Sequence, residues 1–568
     1  MKGLDPLGTA GGSFAFLVPS NRISPIRILA ELIQRTKSFA RRFQSKASLA
    51  GAIALVLFLC LEQYALLGYV TRARLLGGFL FLVAISFLPL AYRVVLAATA
   101  ILAACYAPVQ LMYGPPDFNI AASVLYTNGN EAAEFVSRVP LAGVGLAVAI
   151  LASALVAGVR PVLKGRVDRR VLAALLVLSA AILFVPSTHT RGICGKSPAC
   201  YLAYSRSAAV TFGRRFAEGV NAVKEARTSF VNPLAIGKGT WNLRMAPGPR
   251  KDIYVLVVGE AVRKDFLHAY GSPLGTTSWL DRVPAAVFEH YFSAGASTVI
   301  SLSESFVLKN KSGPSADNVL SLARSAGLRT YWFSNQGSRG EFDSPVSVIG
   351  KTADVSRFTK TESFAKENPP DTDLLPFYRE ALKDGAGKKF IVLHLFGSHP
   401  RPCSRTRGET FSGGVFDSKD LGCYAKSVEN TDRLLAEIHA DLLRTGKSWS
   451  LVYLSDHGLA IFDQGTPRAY LTHSEKYREC YEVPFLRLDS DYREPERIRA
   501  ARSGRDFLAF EAEWLGVAEP RLKRGYRFMS EEPAPRVSVL DYRLDPADPG
   551  SLESNPVGRS ARPAGAGK

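Results

Sequence analysis

Five long apolar runs constrain this chain more than anything else in it. They lie at about 48–69, 75–91, 94–112, 141–159 and 171–187. Each approaches the ~20 residues needed to cross a bilayer as a helix, and buried helices of soluble proteins rarely stay this apolar for this long. The second and third runs are separated only by Tyr92-Arg93, so a tight turn is expected there. Beyond about residue 190 the composition is that of a soluble globular domain. The mean hydropathy of +0.05 therefore averages two unlike parts.

Basic residues give the orientation. Arg22, Arg27, Arg35, Lys37, Arg41, Arg42 and Lys46 precede the first run, and Arg160, Lys164, Arg166, Arg169 and Arg170 separate the fourth from the fifth. Both stretches are expected in the cytoplasm. The loop at 113–140 holds a single basic residue, Arg138, and is expected outside; Thr71-Arg72-Ala73-Arg74 runs against the rule. Five spans from an inside N-terminus place everything after about 188 outside. No cleavable signal peptide is expected, because the first apolar run starts late and is long enough to anchor. Residues 26–44 alternate apolar and basic side chains, which suits a helix on the inner membrane surface or a plain solvated one.

The net charge of +19 and pI near 9.6 fit basic loops and anionic lipid head groups. No recognition motif for nucleic acid accompanies the charge, so no nucleic-acid partner is expected. Of the seven cysteines, Cys60 and Cys105 fall in apolar runs and read as unpaired core thiols. Cys194 with Cys200, and Cys403 with Cys423, read as loop-closing disulfides of an oxidising compartment, the alternative being free thiols. Cys480 is left over.

The expected organisation is a cytoplasmic segment 1–47, a transmembrane domain 48–187, a connector 188–250, an external domain 251–545 and a disordered tail 546–568 rich in Pro, Gly and Ser. Within the external domain, strand patterns at 253–258, 329–334, 389–396, 449–454 and 484–488 alternate with helix patterns at 317–326, 372–383 and 422–445. That alternation predicts an α/β sheet flanked by helices.

Chemistry-bearing residues fall at the ends of these strands, where open α/β sheets bind ligands. Glu260 follows the first. His399 follows the third. Ser455-Asp456-His457-Gly458 ends the fourth, and His473 lies in the loop beyond. Each alone has a bland reading: a cap for a helix, a satisfied polar histidine. Together, carboxylates and imidazoles make a zinc-type donor set; manganese would tolerate its carboxylate-rich part. Thr298, in the small-residue turn Ala294-Gly295-Ala296-Ser297-Thr298, supplies a hydroxyl whose proton a bound metal would loosen.

These motifs resemble those of the phosphoethanolamine transferases, the family that includes the lipid A-modifying enzymes of colistin resistance. Tyr254-Val255-Leu256-Val257-Val258-Gly259-Glu260 with Arg263, Gly295-Ala296-Ser297-Thr298, His394-Leu395-Phe396-Gly397-Ser398-His399-Pro400, Ser455-Asp456-His457-Gly458 and Leu471-Thr472-His473 carry the resemblance, which spans about 48–490. It implies five membrane helices followed by an alkaline phosphatase/sulfatase-like domain in the periplasm, anchored in the bacterial inner membrane. It places the nucleophile at Thr298 and the principal zinc on Glu260, Thr298, Asp456 and His457. His399 and His473 would handle the donor phosphate or a second metal, giving one or two zinc ions. Trp332-Phe333-Ser334-Asn335-Gln336 resembles a family strand and loop, with Arg339 as a substrate-contacting base. Thr127-Asn128-Gly129-Asn130-Glu131-Ala132 resembles the stretch whose glutamate meets the ethanolamine ammonium, so Glu131 takes that role; without the resemblance it reads equally as a carboxylate at a helix start.

Departures from the family pattern point to a divergent branch. The bridge usual beside the nucleophile cannot form, because its positions are Ala294 and Glu304. Leu459 stands where a glutamate is usual, and Ser123 where an asparagine is. The expected activity is transfer of phosphoethanolamine from phosphatidylethanolamine, through a phosphothreonine, to lipid A, a core sugar or another glycan. The alternatives are a glycerophosphate transferase of the same fold and a non-catalytic membrane scaffold. A sulfatase is disfavoured because Thr298-Val299-Ile300-Ser301 lacks the Pro and Arg its nucleophile motif requires.

Overall fold

A computed structural model describes residues 49–117, 120–121, 124–125, 139–162, 168–184, 205–230, 239–309, 316–337, 345–360, 369–558 and 561–563. The chain divides into two compact units: 1–114 with 140–211, and 115–139 with 212–568.

The first unit is helical: α1 (Leu49–Leu67), α2 (Arg72–Ile85), α3 (Pro89–Tyr113), α4 (Leu141–Val159) and α5 (Arg169–Phe184). Three of them, α1, α3 and α4, are long and apolar enough to cross a membrane. At 1.5 Å per residue, the described 14 residues of α2 and 16 of α5 are shorter than a hydrocarbon layer about 30 Å thick, so among the described residues three of the five expected spans reach that length. The expected turn at Tyr92-Arg93 is also corrected: both residues lie inside α3, and the chain breaks at 86–88 instead. Pro89 explains the shift. Its ring disfavours helical geometry in the residue before it, while its fixed φ suits the first helical position. Close packing uses small residues. A Cβ on Gly143 would stand 3.1 Å from the Pro108 backbone, and one on Gly77 would overlap Leu183. Large apolar side chains face outward, with Leu141, Leu90 and Leu155 between 68 and 89% exposed, the pattern of helices that meet lipid.

The second unit is built on an eight-stranded sheet: β1 (Ile253–Gly259), β2 (Ala286–Phe288), β3 (Arg329–Gly337), β4 (Val355–Lys360), β5 (Lys389–His394), β6 (Trp449–Ser455), β7 (Phe485–Asp489) and β8 (Glu496–Ile498), in the order β8-β2-β7-β6-β1-β5-β3-β4. From β6 to β4 neighbours run parallel, and β7 is antiparallel to both β6 and β2. Strands covered on both faces read as continuous apolar runs, and β1 is buried throughout. Its alternate side chains serve two cores. Ile253, Val255 and Val257 join Leu421, Tyr424, Val428 and Ile438 of the long helix Lys419–Arg444. Tyr254, Leu256 and Val258 join Leu320 and Leu322 of Val319–Ser325 and Phe510 and Trp514 of Phe507–Trp514. The result is a three-layer α/β/α domain.

Residues 546–558 and 561–563, expected to be disordered, are ordered. The chain there returns to the domain. Asn555 accepts from the Arg263 guanidinium, Val557 N–H donates to Asp265, and 561–563 pair antiparallel with 414–416. The Pro- and Gly-rich composition produces an irregular but hydrogen-bonded wrap.

Candidate active site

Three parallel strands end level. Val258 on β1 is paired with His394 on β5 and with Leu454 on β6. Glu260, the 395–399 loop and Asp456-His457 therefore leave the sheet along one edge. Backbone bonds extend that alignment past the strands: Asp456 N–H donates to Gly259 O at 3.0 Å, and Ser398 N–H to Glu260 O at 3.0 Å. The turn after Glu260 is strained. Ala261 has φ 58°, a left-handed conformation that costs a residue with a Cβ about 1–2 kcal/mol. In that conformation its N–H donates to Asp456 Oδ1 at 2.9 Å. Gly397 has φ +30°, and a Cβ on it would press on the Glu260 backbone at 3.1 Å.

Thr298 opens the helix Thr298–Phe306, so its hydroxyl sits at the positive end of a helix dipole. Thr298 Oγ1 donates to Glu260 Oε2 at 3.1 Å and lies 3.3 Å from His457 Nε2. His457 Nε2 is 3.4 Å from Glu260 Oε1 and 3.6 Å from Asp456 Oδ2. His457 Nδ1 faces Gly458 O at 2.8 Å, which assigns the proton to Nδ1 and leaves the Nε2 lone pair for the centre of the cluster.

Two observations test whether a cation fits here. Glu260 Oε1 and Asp456 Oδ2 are buried and accept no hydrogen bond among the described residues, and leaving buried charged acceptors unmet is costly. The donor atoms of Glu260, Asp456 and His457 also lie within 4.8 Å of one another. The charges are out of balance in the protein alone. Burial and the neighbouring Glu260 raise the Asp456 pKa. Burial opposes a charge on His457, but Asp456 and Glu260 outweigh it and push the imidazole up to about 9. A divalent cation on this donor set resolves both conflicts.

His473 and His399 continue the line of imidazoles. The His473 ring is 4.8 Å from His457 and 6.3 Å from His399, centroid to centroid. Burial pushes both down to about 3, with Arg405 and His457 adding to it at His399 and His457 at His473, so both are neutral. Six of the eight residues read from the sequence thus meet at one edge of the sheet. Glu131 and Arg339 lie outside the described residues.

The structure adds residues that the sequence reading did not use. Gln336 Nε2 donates to Glu260 Oε2 at 3.0 Å and to Leu395 O at 3.0 Å, so it orients the carboxylate. Asp371 accepts from the N–H groups of Phe396 and Gly397 at 2.8 and 2.9 Å and shapes the loop of His399. Gln336 ends a run with a family resemblance and was findable; Asp371 works 25 residues ahead and carries no local signature. Arg263 is buried scaffolding bound to Asp265, Leu459 O and Asn555. Leu459 itself is fully buried in the core. Cys403 and Cys423 form a pair with Cα atoms 4.9 Å apart, whereas Cys194 and Cys200 lie outside the described residues.

Comparison with known proteins agrees with this architecture. The Sulfatase family model matches residues 252–517. The chain is 33% identical over 474 residues to the phosphoethanolamine transferase OpgE of Escherichia coli, covering 81% of this chain and 87% of that protein. The chain belongs to the phosphoethanolamine transferase family. This transferase is also 31% identical over 381 residues to a putative phosphoethanolamine transferase of Haemophilus influenzae, covering 64% of this chain and 73% of the relative. Its fold resembles that of the integral membrane lipooligosaccharide phosphoethanolamine transferase A of Neisseria meningitidis, with a TM-score of 0.54 at 19% identity over 84% of this chain and 97% of the other. The transferase is thus an enzyme with a helical N-terminal region followed by an α/β sulfatase-like domain.

Proposed function

We propose that this enzyme transfers phosphoethanolamine from phosphatidylethanolamine to a periplasmic lipid or glycan acceptor in two displacements at Thr298. The observation that carries the reading is the meeting of Thr298 Oγ1 with Glu260 and His457, 3.1 and 3.3 Å away, beside buried carboxylate oxygens without partners. Glu260, Asp456, His457 and the Thr298 oxygen would hold zinc, which when bound favours the ionised hydroxyl and offsets charge on the phosphoryl group. Glu260 accepts the Thr298 hydrogen bond and so aims Oγ1, while Gln336 keeps Glu260 from rotating. In the first displacement the Thr298 Oγ–P bond forms, the P–O bond to glycerol breaks, and diacylglycerol leaves with the proton. His399 and His473, neutral at the same edge, would meet the donor phosphate or a second metal. In the second, an acceptor hydroxyl takes the phosphorus and Thr298 regains its proton.

A lipid donor gives the membrane helices a purpose. We assign α1–α5 to a multi-pass anchor in the inner membrane, with 251–545 in the periplasm and Glu131 meeting the ethanolamine ammonium. The deciding assay is release of diacylglycerol from phosphatidylethanolamine by detergent-purified, zinc-loaded protein. Release by wild type and none by Thr298→Ala is expected. No release by wild type would overturn the donor assignment, with phosphatidylglycerol the next lipid to try.

A further inference from the structure

Glu62 is an ionisable side chain inside α1, a helix long and apolar enough to cross a membrane, and the two displacements leave it unused. It is 6% exposed. Phe58, Leu59, Ala65 and Leu66, one helical turn to either side, are buried with it, so the carboxylate interrupts an apolar face that packs inward. Among the described residues no hydrogen bond and no ion pair reaches it. Of the basic residues just beyond the helix, Arg72 is exposed, and Arg74 is engaged by Arg206 O at 3.0 Å and by the Tyr69 ring. A carboxylate is costly within a hydrocarbon layer; where one stands, it faces the bundle interior and marks a path for a substrate or an ion.

Two further side chains carry unmatched atoms at the same end of the helical unit. Gln63 Oε1 accepts from Thr71 N–H at 3.0 Å and closes the turn after α1, while its Nε2 is buried without an acceptor. Gln110, in the last turn of α3, reaches that turn: a Cβ on Gly68 would stand 2.8 Å from its Nε2, and its Oε1 is buried without a donor. The helices thus hold a carboxylate and an amide oxygen that lack donors, and an amide N–H group that lacks an acceptor. A primary ammonium brings three donors and a charge, and the phosphodiester attached to it brings acceptors. Leu67 ends α1, so Glu62 lies about 7.5 Å short of that end at 1.5 Å per residue. With the residues before α1 in the cytoplasm, this is the depth at which the head groups of the outer leaflet give way to acyl chains.

We infer that Glu62, Gln63 and Gln110 form a subsite for an ammonium-bearing phospholipid head group, in which Glu62 takes the ammonium of phosphatidylethanolamine while the acyl chains remain in the bilayer. The inference rests on the proposed donor and membrane orientation. No bond is made or broken at this subsite. It sorts lipids before transfer: a neutral or anionic head group leaves the buried Glu62 carboxylate without a counter-charge and is held more weakly. The ammonium that Glu131 is proposed to meet during transfer is held here first.

The test reads lipids retained by full-length Thr298→Ala protein in native mass spectrometry. The protein is loaded from equal amounts of phosphatidylethanolamine, its N-acetyl derivative, which lacks the ammonium, and phosphatidylglycerol, all with matched chains. Phosphatidylethanolamine should exceed each of the others by about tenfold, the scale of one charge-assisted hydrogen bond. In the same background Glu62→Gln should bring that ratio near one, Glu62→Asp should keep part of it, and Gln110→Leu should lower it. A side chain that only packs the helices would not move a head-group ratio. Equal retention of the three lipids, or a preference that survives Glu62→Gln, overturns the subsite; if Glu62→Gln does not fold, an undiminished preference in Gln110→Leu overturns it instead. Diacylglycerol release by wild type is measured alongside. Release without a head-group preference removes the subsite and leaves the donor reading, whereas a preference without release leaves the subsite and removes the donor reading.

Discussion

Arg505 Nε donates to Glu304 Oε1 at 3.0 Å, joining the helix that Thr298 opens to a segment two hundred residues further along the chain. Lys309 meets the same carboxylate from its other side, and Arg505 also donates to Ser538 Oγ at 2.7 Å. Ser538 leads into Val539–Leu540, where Leu540 N–H donates to Ala294 O at 2.8 Å. An ion pair and a backbone clamp thus brace the turn of Thr298, the proposed nucleophile, at the positions, Ala294 and Glu304, where the family resemblance would lead one to look for a bridge. Arg505→Ala should leave the metal stoichiometry intact and lower kcat about tenfold with little change in KM, since a small displacement of a nucleophile is felt mainly in the chemical step. Steady-state kinetics with a fluorescent phosphatidylethanolamine check this. An unchanged kcat would reduce the brace to a surface ion pair.

Thr298→Ala should abolish transfer, by about 10³-fold or more, as expected when a nucleophile is removed. Acid-quenched wild type, given donor without acceptor, should carry one phosphoethanolamine on the peptide that contains Thr298. Peptide mass spectrometry showing that group on another residue would move the nucleophile.

Asp456→Asn separates metal binding from folding. Asp456 Oδ1 accepts from Ala261 N–H and His457 N–H, which an asparagine oxygen can still do, while Oδ2 is the oxygen without a partner. With chelator, the variant should melt at or above the wild-type temperature, because a buried charge has gone. With saturating zinc, wild type alone should gain stability, by RT ln(1 + [L]/Kd), or about 2.7 kcal/mol at a hundredfold excess over Kd. Equal zinc-induced gains in both proteins would remove Asp456 from the donor set.

Glu482 gives a pH signature away from the metal cluster. Burial acts to raise its pKa, but Lys264, Arg478 and His290 outweigh that and hold it at about 2 against 4.5 unperturbed. A depressed folded-state pKa contributes stability that is complete above about 4.5 and lost as pH falls toward 2. With the side chain 11% exposed, the contribution at neutral pH is about 3 kcal/mol at most. Glu482→Gln should lower the melting temperature at pH 7 and flatten the acid limb of the stability profile. An unaltered acid limb would refute it.

How much of this was legible in the sequence follows from how local each signal is. The core strands announce themselves, because burial on both faces makes β1, β5 and β6 continuous apolar runs. Their terminal residues Glu260, His399, Asp456 and His457 were found for the same reason. Short strands such as Ala286–Phe288 and Glu496–Ile498 have no run to detect; tertiary pairing alone makes them strands. Thr298 read as a turn residue, yet it starts a nine-residue helix whose Ser-rich sequence has weak helical periodicity. Gln336 could have been found from the run it ends, whereas Asp371 became visible only when the sheet brought its segment against the loop of His399. The five N-terminal helices were found, three of them long and apolar enough to cross a membrane, but the break between α2 and α3 was misplaced, because apolar composition outweighed Pro89.

Arg263 also bears on the order in which the domain can be made. It follows Glu260 closely, yet its guanidinium is fully buried and depends on Asn555, 292 residues later. Asp265 and Leu459 O are in place earlier in the chain, but the full set of Arg263 partners exists only once residue 555 has been made. The edge that carries Glu260 thus draws on almost the whole length of the domain, and a chain cut short before Asn555 would leave a buried guanidinium N–H without its acceptor.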